Sequence, residues 1–128
     1  MKPKFRAWTE EGKVMYYDVY PFKDDTLLLS YDEIAFDEVP ASDFILMQST
    51  GLKDKNDNEI FEGDIVRYKA GGDTFTEEVA YNKNLAGFGV KDADANISLT
   101  FGELAEEIDL HSLEVIGSIY QNPELLGE

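Results

Sequence analysis

The sequence predicts a mainly β protein, a small barrel or sandwich with one short helix near its C-terminus. Three observations predict it. Short runs of β-branched and aromatic residues are separated by turn signals at close spacing, which favours a barrel or sandwich over alternating β/α units. Only the segment after Leu99 repeats apolar residues at helical spacing behind a capping signal. The four prolines stand singly at 3, 21, 40 and 123, near the ends of candidate elements.

Lys4 to Trp8 alternates and Val14 to Tyr20 is β-branched and aromatic; between them Thr9 to Lys13 carries a glycine, Gly12, so an opening hairpin is expected. From Thr26 to Val39 the signal weakens to the apolar run Leu27–Leu29 and to Ile34, Phe36 and Val39 among acids. Pro40 to Asp43 breaks the pattern, and a seam near residues 40–45 is expected. Ile45 to Gln48 reads as a strand, Ser49 to Gly51 as a turn and Asp54 to Asn58 as a polar loop. Ile60 and Phe61, a turn at Glu62 to Asp64, and Ile65 to Lys69 follow. Ala70 to Thr74 then forms a hairpin loop with Phe75 to Tyr81 as its return strand. Gly87 to Val90 is a further strand whose glycines suggest a bulge or a close backbone approach.

The helix is specified by Thr100 and Glu103 as a capping box, with Leu99 and Leu104 at staple positions. Phe101, Leu104, Ala105 and Ile108 would form its apolar face, and Glu106, Glu107 and Asp109 its solvated one. Leu113 to Tyr120 is the final strand, after which Leu125 and Leu126 fold back.

With 128 residues, 43% of them hydrophobic, and seven Tyr, eight Phe and one Trp, the chain is long and apolar enough for a packed core. It has no cysteine, which excludes disulfides, thiolate metal sites and a cysteine nucleophile. The N-terminal region has no apolar core of a signal peptide, and no apolar run approaches the ~20 residues of a membrane span. A cytosolic protein with no membrane partner is expected. The balance of 27 acidic against 11 basic residues gives a net charge of -16, which repels nucleic acid and anionic membrane surfaces and reads first as a solubilising, solvated surface, with attraction of a basic partner as the sharper alternative.

Chemistry has few candidates. Asp92, Asp94, Asn96 and Glu103 stand at positions 1, 3, 5 and 12 of a calcium-binding loop, but Ile97 occupies the sixth position where such a loop turns on glycine, and Glu103 is claimed by the capping box. Asp54 to Asn58 imitates positions 1, 3 and 5, but with Glu59 at the sixth and Ile65 at the twelfth it reads as a turn. His111 is the single histidine and suits a helix end better than a charge-relay or zinc site. No phosphate-binding or dinucleotide glycine loop occurs. We assign no catalytic residue and no cofactor.

The segment from Leu46 to Val66, LMQSTGLKDKNDNEIFEGDIV, orders its turn and strand signals distinctively. Within it, folding accounts for Gly51, Gly63, Asp64 and the apolar residues, and a functional reading makes Gln48, Thr50, Lys53 and Asp54 an exposed contact loop. Trp8, Tyr16, Tyr17 and Tyr20 likewise read as a β-face core or as an interface belt. Together with EVIGSIYQNPELL from Glu114 to Leu126 and, more loosely, Phe5 to Trp8, the segment resembles the YopX-like proteins of bacteriophages and prophages. The resemblance implies an SH3-like β-barrel for the second part of the chain, and no defined activity.

The expected organisation is therefore an N-terminal β portion, residues 1–45, followed by an SH3-like barrel portion with the helix, residues 46–128, as two parts or one continuous domain. The expected role is a non-enzymatic interaction or assembly protein in the cytosol of a bacterial host, with a basic host or phage protein or a second copy of itself as partner. An acidic, DNA-mimicking inhibitor of a nucleic-acid-binding protein is the first alternative; a calcium-binding protein or enzyme is the second.

Overall fold

The computed structural model of the chain describes residues 4–92 and 97–126. It divides into two compact units, Met1–Ser49 and Thr50–Glu128.

The first unit is an antiparallel sheet. Its strands are β1 (Phe5–Thr9), β2 (Val14–Pro21), β3 (Thr26–Leu29), β4 (Asp37–Pro40) and the first half of β5 (Ile45–Lys53), in the order β4-β3-β2-β1-β5. The β1–β2 hairpin forms where the sequence predicts it, and its loop is tied by Glu10, which accepts from Trp8 Nε1 and Lys13 Nζ, both at 2.8 Å. One register detail matters: Phe5 lies opposite Val19 but Ala7 opposite Tyr16, so β2 carries one extra residue. This bulge lets Tyr16 and Val19, three apart, both pack on the same core, and it leaves Tyr17 outside. Ala7, Val19, Leu27 and Leu29 form that core, with Phe5, Val39, Phe44 and Leu46 against it.

The break expected at Pro40 to Asp43 is present. Pro40 is the last residue of β4, the outermost strand of this unit, where the missing N–H leaves no ladder bond unmade, and a 3-10 turn at Ala41–Asp43 follows. Ser49 to Gly51, by contrast, does not form the expected turn. β5 runs straight through it, with the positive φ of Gly51, 84°, absorbed inside the strand. The boundary between the units thus falls within a strand.

The second unit contains the rest of β5, which pairs with β6 (Glu59–Phe61), and a five-stranded antiparallel sheet. The latter comprises β7 (Asp64–Ala70), β8 (Asp73–Asn82), β9 (Gly87–Asp92), β10 (Ile97–Thr100) and β11 (Glu114–Ser118), in the order β10-β9-β8-β7-β11. The sheet is open, with β10 and β11 at its two ends, so among the described residues the expected SH3-like barrel does not close. The fold is mainly β, as expected, built from antiparallel sheets.

β10 was not expected; the sequence there reads as an acidic loop. Gly89 explains the strand's position. A Cβ on Gly89 would lie 1.9 Å from the carbonyl oxygen of Leu99, so only glycine lets β10 approach. The capping box is present: Thr100 Oγ1 accepts from Glu103 N, and Glu103 Oε1 accepts from Thr100 N. The helix it starts, α1 (Phe101–Leu104), is a single turn, shorter than expected. Phe101 and Leu104 enter the core with Ile60, Val66, Val79, Val90 and Leu113, but Ala105 is exposed.

Candidate functional site

The distinctive segments meet in the second unit, where they perform structural work. Asp54 is only 4% exposed, and its carboxylate accepts the backbone N–H groups of Asn56 (2.9 Å), Asn58 (2.8 Å) and Val115 (2.9 Å). Burial pushes the Asp54 carboxyl up, and these bonds together outweigh it and hold it below the usual carboxylate value. Asp64, also buried, accepts from Phe61 N at 2.7 Å and so closes the turn at Gly63, whose φ is 84°. Gly63 in turn accepts from Ile119 N at 2.8 Å.

The contact loop expected from Gln48, Thr50, Lys53 and Asp54 is therefore corrected. Gln48, Thr50 and Lys53 lie along β5, and only Lys53 of the four is exposed, paired with Asp57 at 3.5 Å. The Thr50 hydroxyl donates to the carbonyl of Ile60 at 2.7 Å, and the Asp54 carboxylate is turned inward. Bonding to backbone consumes the side chains of Thr50 and Asp54.

Of the calcium candidates, Asp94 and Asn96 lie outside the described residues, and Asp92 ends β9. Glu103 is engaged by the backbone N–H and hydroxyl of Thr100, at 3.0 and 3.2 Å. Among the described residues no group of three or more His, Cys, Asp or Glu side chains is arranged to hold a metal ion. His111 lies in a 3-10 turn, Leu110–Ser112, with its backbone N–H on Asp109.

The surface that stands out lies on the first unit. Tyr17, Tyr20, Phe22, Tyr31 and Phe36 are between 46% and 59% exposed, and Ile34 is 86% exposed. Trp8 and Tyr16, by contrast, turn inward, so the predicted aromatic set divides between core and surface. Tyr20 and Phe36 touch, with ring centroids 5.9 Å apart, and Lys23 reaches from the Phe22 ring toward Glu38 at 3.6 Å. Tyr31 packs edge-on against Tyr16, with centroids 5.3 Å apart.

Local chemistry shapes the loop that carries Ile34 and Phe36. The Asp32 carboxylate accepts from Ile34 N at 2.9 Å and Ala35 N at 3.0 Å, and the bonds from Ala35 and Ile34 hold its carboxyl below the usual value. Residues 14–44 hold eight acidic side chains against one lysine, Lys23. This stretch therefore combines exposed aromatic rings with an excess of acids in its sequence. Its sequence signal was the clustering of Tyr20, Phe22 and Phe36 among those acids, which the weak strand periodicity of residues 26–39 obscured.

Among the described residues no helix is long and apolar enough to cross a membrane. Comparison with curated proteins finds no match. The fold is similar to that of the crystal structure of protein EF1440 from Enterococcus faecalis, at 32% identity over 98% of this chain and 99% of that one, with a TM-score of 0.69. It also shares its fold with protein yopX from Bacillus subtilis, at 23% identity over 95% and 96% of the two chains, with a TM-score of 0.61. The family model described as YopX protein matches residues 4–127. From Lys4 onward, then, nearly the whole chain, including both distinctive segments that meet around Asp54 and Gly63, belongs to the YopX protein family.

Proposed function

We propose that the chain is a non-enzymatic interaction protein whose first unit docks a basic segment of a protein partner in the bacterial cytosol, in the phage or prophage setting that the family resemblance implies. The supporting observation is the outward Tyr20–Phe36 pair within a stretch of eight acids and one lysine. Exposed aromatic rings supply contact area at low entropic cost and attract Lys and Arg by their ring faces, and the surrounding carboxylates select for those cations.

Self-association through the edge of the first sheet is a weaker reading. β4 presents Asp37, Glu38 and Pro40 there, residues that oppose strand addition by charge and by the absent N–H.

The test is capture from nuclease-treated bacterial lysate by the tagged protein and by a Tyr20→Ala/Phe36→Ala variant, at low and moderate salt. The expected result is a basic protein retained at low salt, released as salt rises, and lost from the variant. Equal capture by the variant, or recovery of the protein alone, overturns the docking reading. A second reading, an acidic inhibitor of a nucleic-acid-binding protein, draws support from the acid excess, and it predicts that double-stranded DNA displaces the captured partner.

A further inference from the structure

A cleft of about 620 Å³ lies in the second unit between the β7–β8 hairpin and the chain just after α1. Its size falls in the range of ordinary ligand sites, roughly 300–1,000 Å³. Tyr68 and Phe75 face each other across the hairpin and stack, with ring centroids 5.5 Å apart and planes at 23°. Tyr68 is buried beneath, and Phe75 is 37% exposed. Leu99 adds an apolar wall, and Gly71 has open space where a side chain would stand.

The polar groups of the cleft are acidic. Glu77 lines it, accepting the Tyr68 hydroxyl, and Glu107 lines it from an exposed position beyond α1. Among the described residues no cation lines it. Each class of occupant can be weighed against that set. An anion meets two carboxylates without a counter-charge, and a neutral apolar group covers the rings while giving neither carboxylate a counter-charge. A guanidinium answers both features, because its plane stacks on an aromatic face and its N–H fork bonds carboxylate oxygens. Residues 50–128 hold 17 acidic against 6 basic side chains, so the surrounding field also draws a cation. The hairpin tip at Gly71 to Asp73 is exposed, which leaves room for a polypeptide to pass while one long side chain enters.

We infer that this cleft binds the guanidinium of an arginine side chain presented by a polypeptide. The inference rests on the preceding reading only for the basic class of the partner; the site itself lies in the other unit and is tested separately.

The experiment is a ¹⁵N–¹H NMR titration of the full chain with acetyl-Ala-Arg-Ala-amide, and with the same peptide carrying citrulline, which has nearly the same shape and no charge. The expected result is saturable shifts at amides in residues 68–77 and 99–107 with the arginine peptide, and shifts at least about tenfold weaker in affinity with citrulline. Phe75→Ala and Glu107→Gln should each weaken binding by about threefold or more, with amides elsewhere unmoved. Equal response to citrulline, shifts that never saturate, or an unchanged affinity in both variants overturns the inference. Failure here leaves partner capture by the first unit intact, whereas failure of the Tyr20/Phe36 test leaves these shifts intact, so the two outcomes are distinguishable.

Discussion

The carboxylate of Asp54 accepts the backbone N–H of Val115 at 2.9 Å, across 61 residues of sequence. Beside it, Lys55 N donates to the carbonyl of Leu113 at 2.9 Å, so the loop after β5 takes up one hydrogen-bonding group of β11 and one of the residue just before it. A side chain here does the work of another strand. A buried N–H without such a partner is costly, and this bond joins the two distinctive segments of the sequence.

Asp54→Ala should therefore destabilise the protein by about 2 kcal/mol, since it leaves three part-buried backbone donors without the charged acceptor that had satisfied them. Chemical denaturation of the two proteins measures this. The pH dependence has a definite sign. The folded carboxyl titrates below its ordinary value of 3.8, so its contribution is fully present above that value and is lost as pH falls through the depressed one. Asp54→Asn should flatten the acid limb of the stability curve below about pH 4.

Gly89→Ala should be strongly destabilising, by about 3 kcal/mol, because the added Cβ meets the Leu99 carbonyl oxygen at 1.9 Å and backbone must move. Gly87→Ala is the control. Its nearest neighbour would be Thr100 Cγ2 at 3.7 Å, an ordinary contact, and thermal melting should shift by far less.

Thr100→Ala removes half of the capping box and should cost about 1 kcal/mol. Thr100→Ser retains the hydroxyl and should recover most of it. A helix of one turn has little else to hold its first N–H groups, so hydrogen exchange at Glu103 should rise in the alanine variant.

Tyr20→Ala/Phe36→Ala should lower stability by no more than about 1.5 kcal/mol, the scale of an aromatic pair, while abolishing partner capture. Loss of folding measured by circular dichroism would show instead that the pair serves the core.

Asp32→Ala should reduce capture without unfolding the sheet, because the carboxylate organises an exposed turn. Its folded carboxyl is also depressed, so the ordering of this turn is present above about 3.8 and fades as pH falls through the lowered value. Chemical shifts of Ile34 and Ala35 amides across an acid titration follow it directly.

Strand content, the opening hairpin, the Thr100–Glu103 box and the close approach at Gly89 were legible in the sequence, because each depends on neighbours or on one residue's intrinsic geometry. The family was legible for the same reason, through the ordered turn and strand signals from Leu46 to Val66. The roles of polar side chains were not. Asp54 has the composition of a loop residue, and only its meeting with Val115 makes it an internal anchor. Ala105 has the spacing of a core residue, yet the tertiary packing leaves it exposed. The bulge in β2 likewise decides which tyrosines face out, since one inserted residue reverses the alternation. Local propensity and periodicity determined the elements; long-range pairing decided which groups were consumed by the fold and which, like Tyr20, Phe36 and the Phe75 cleft, were left facing solvent.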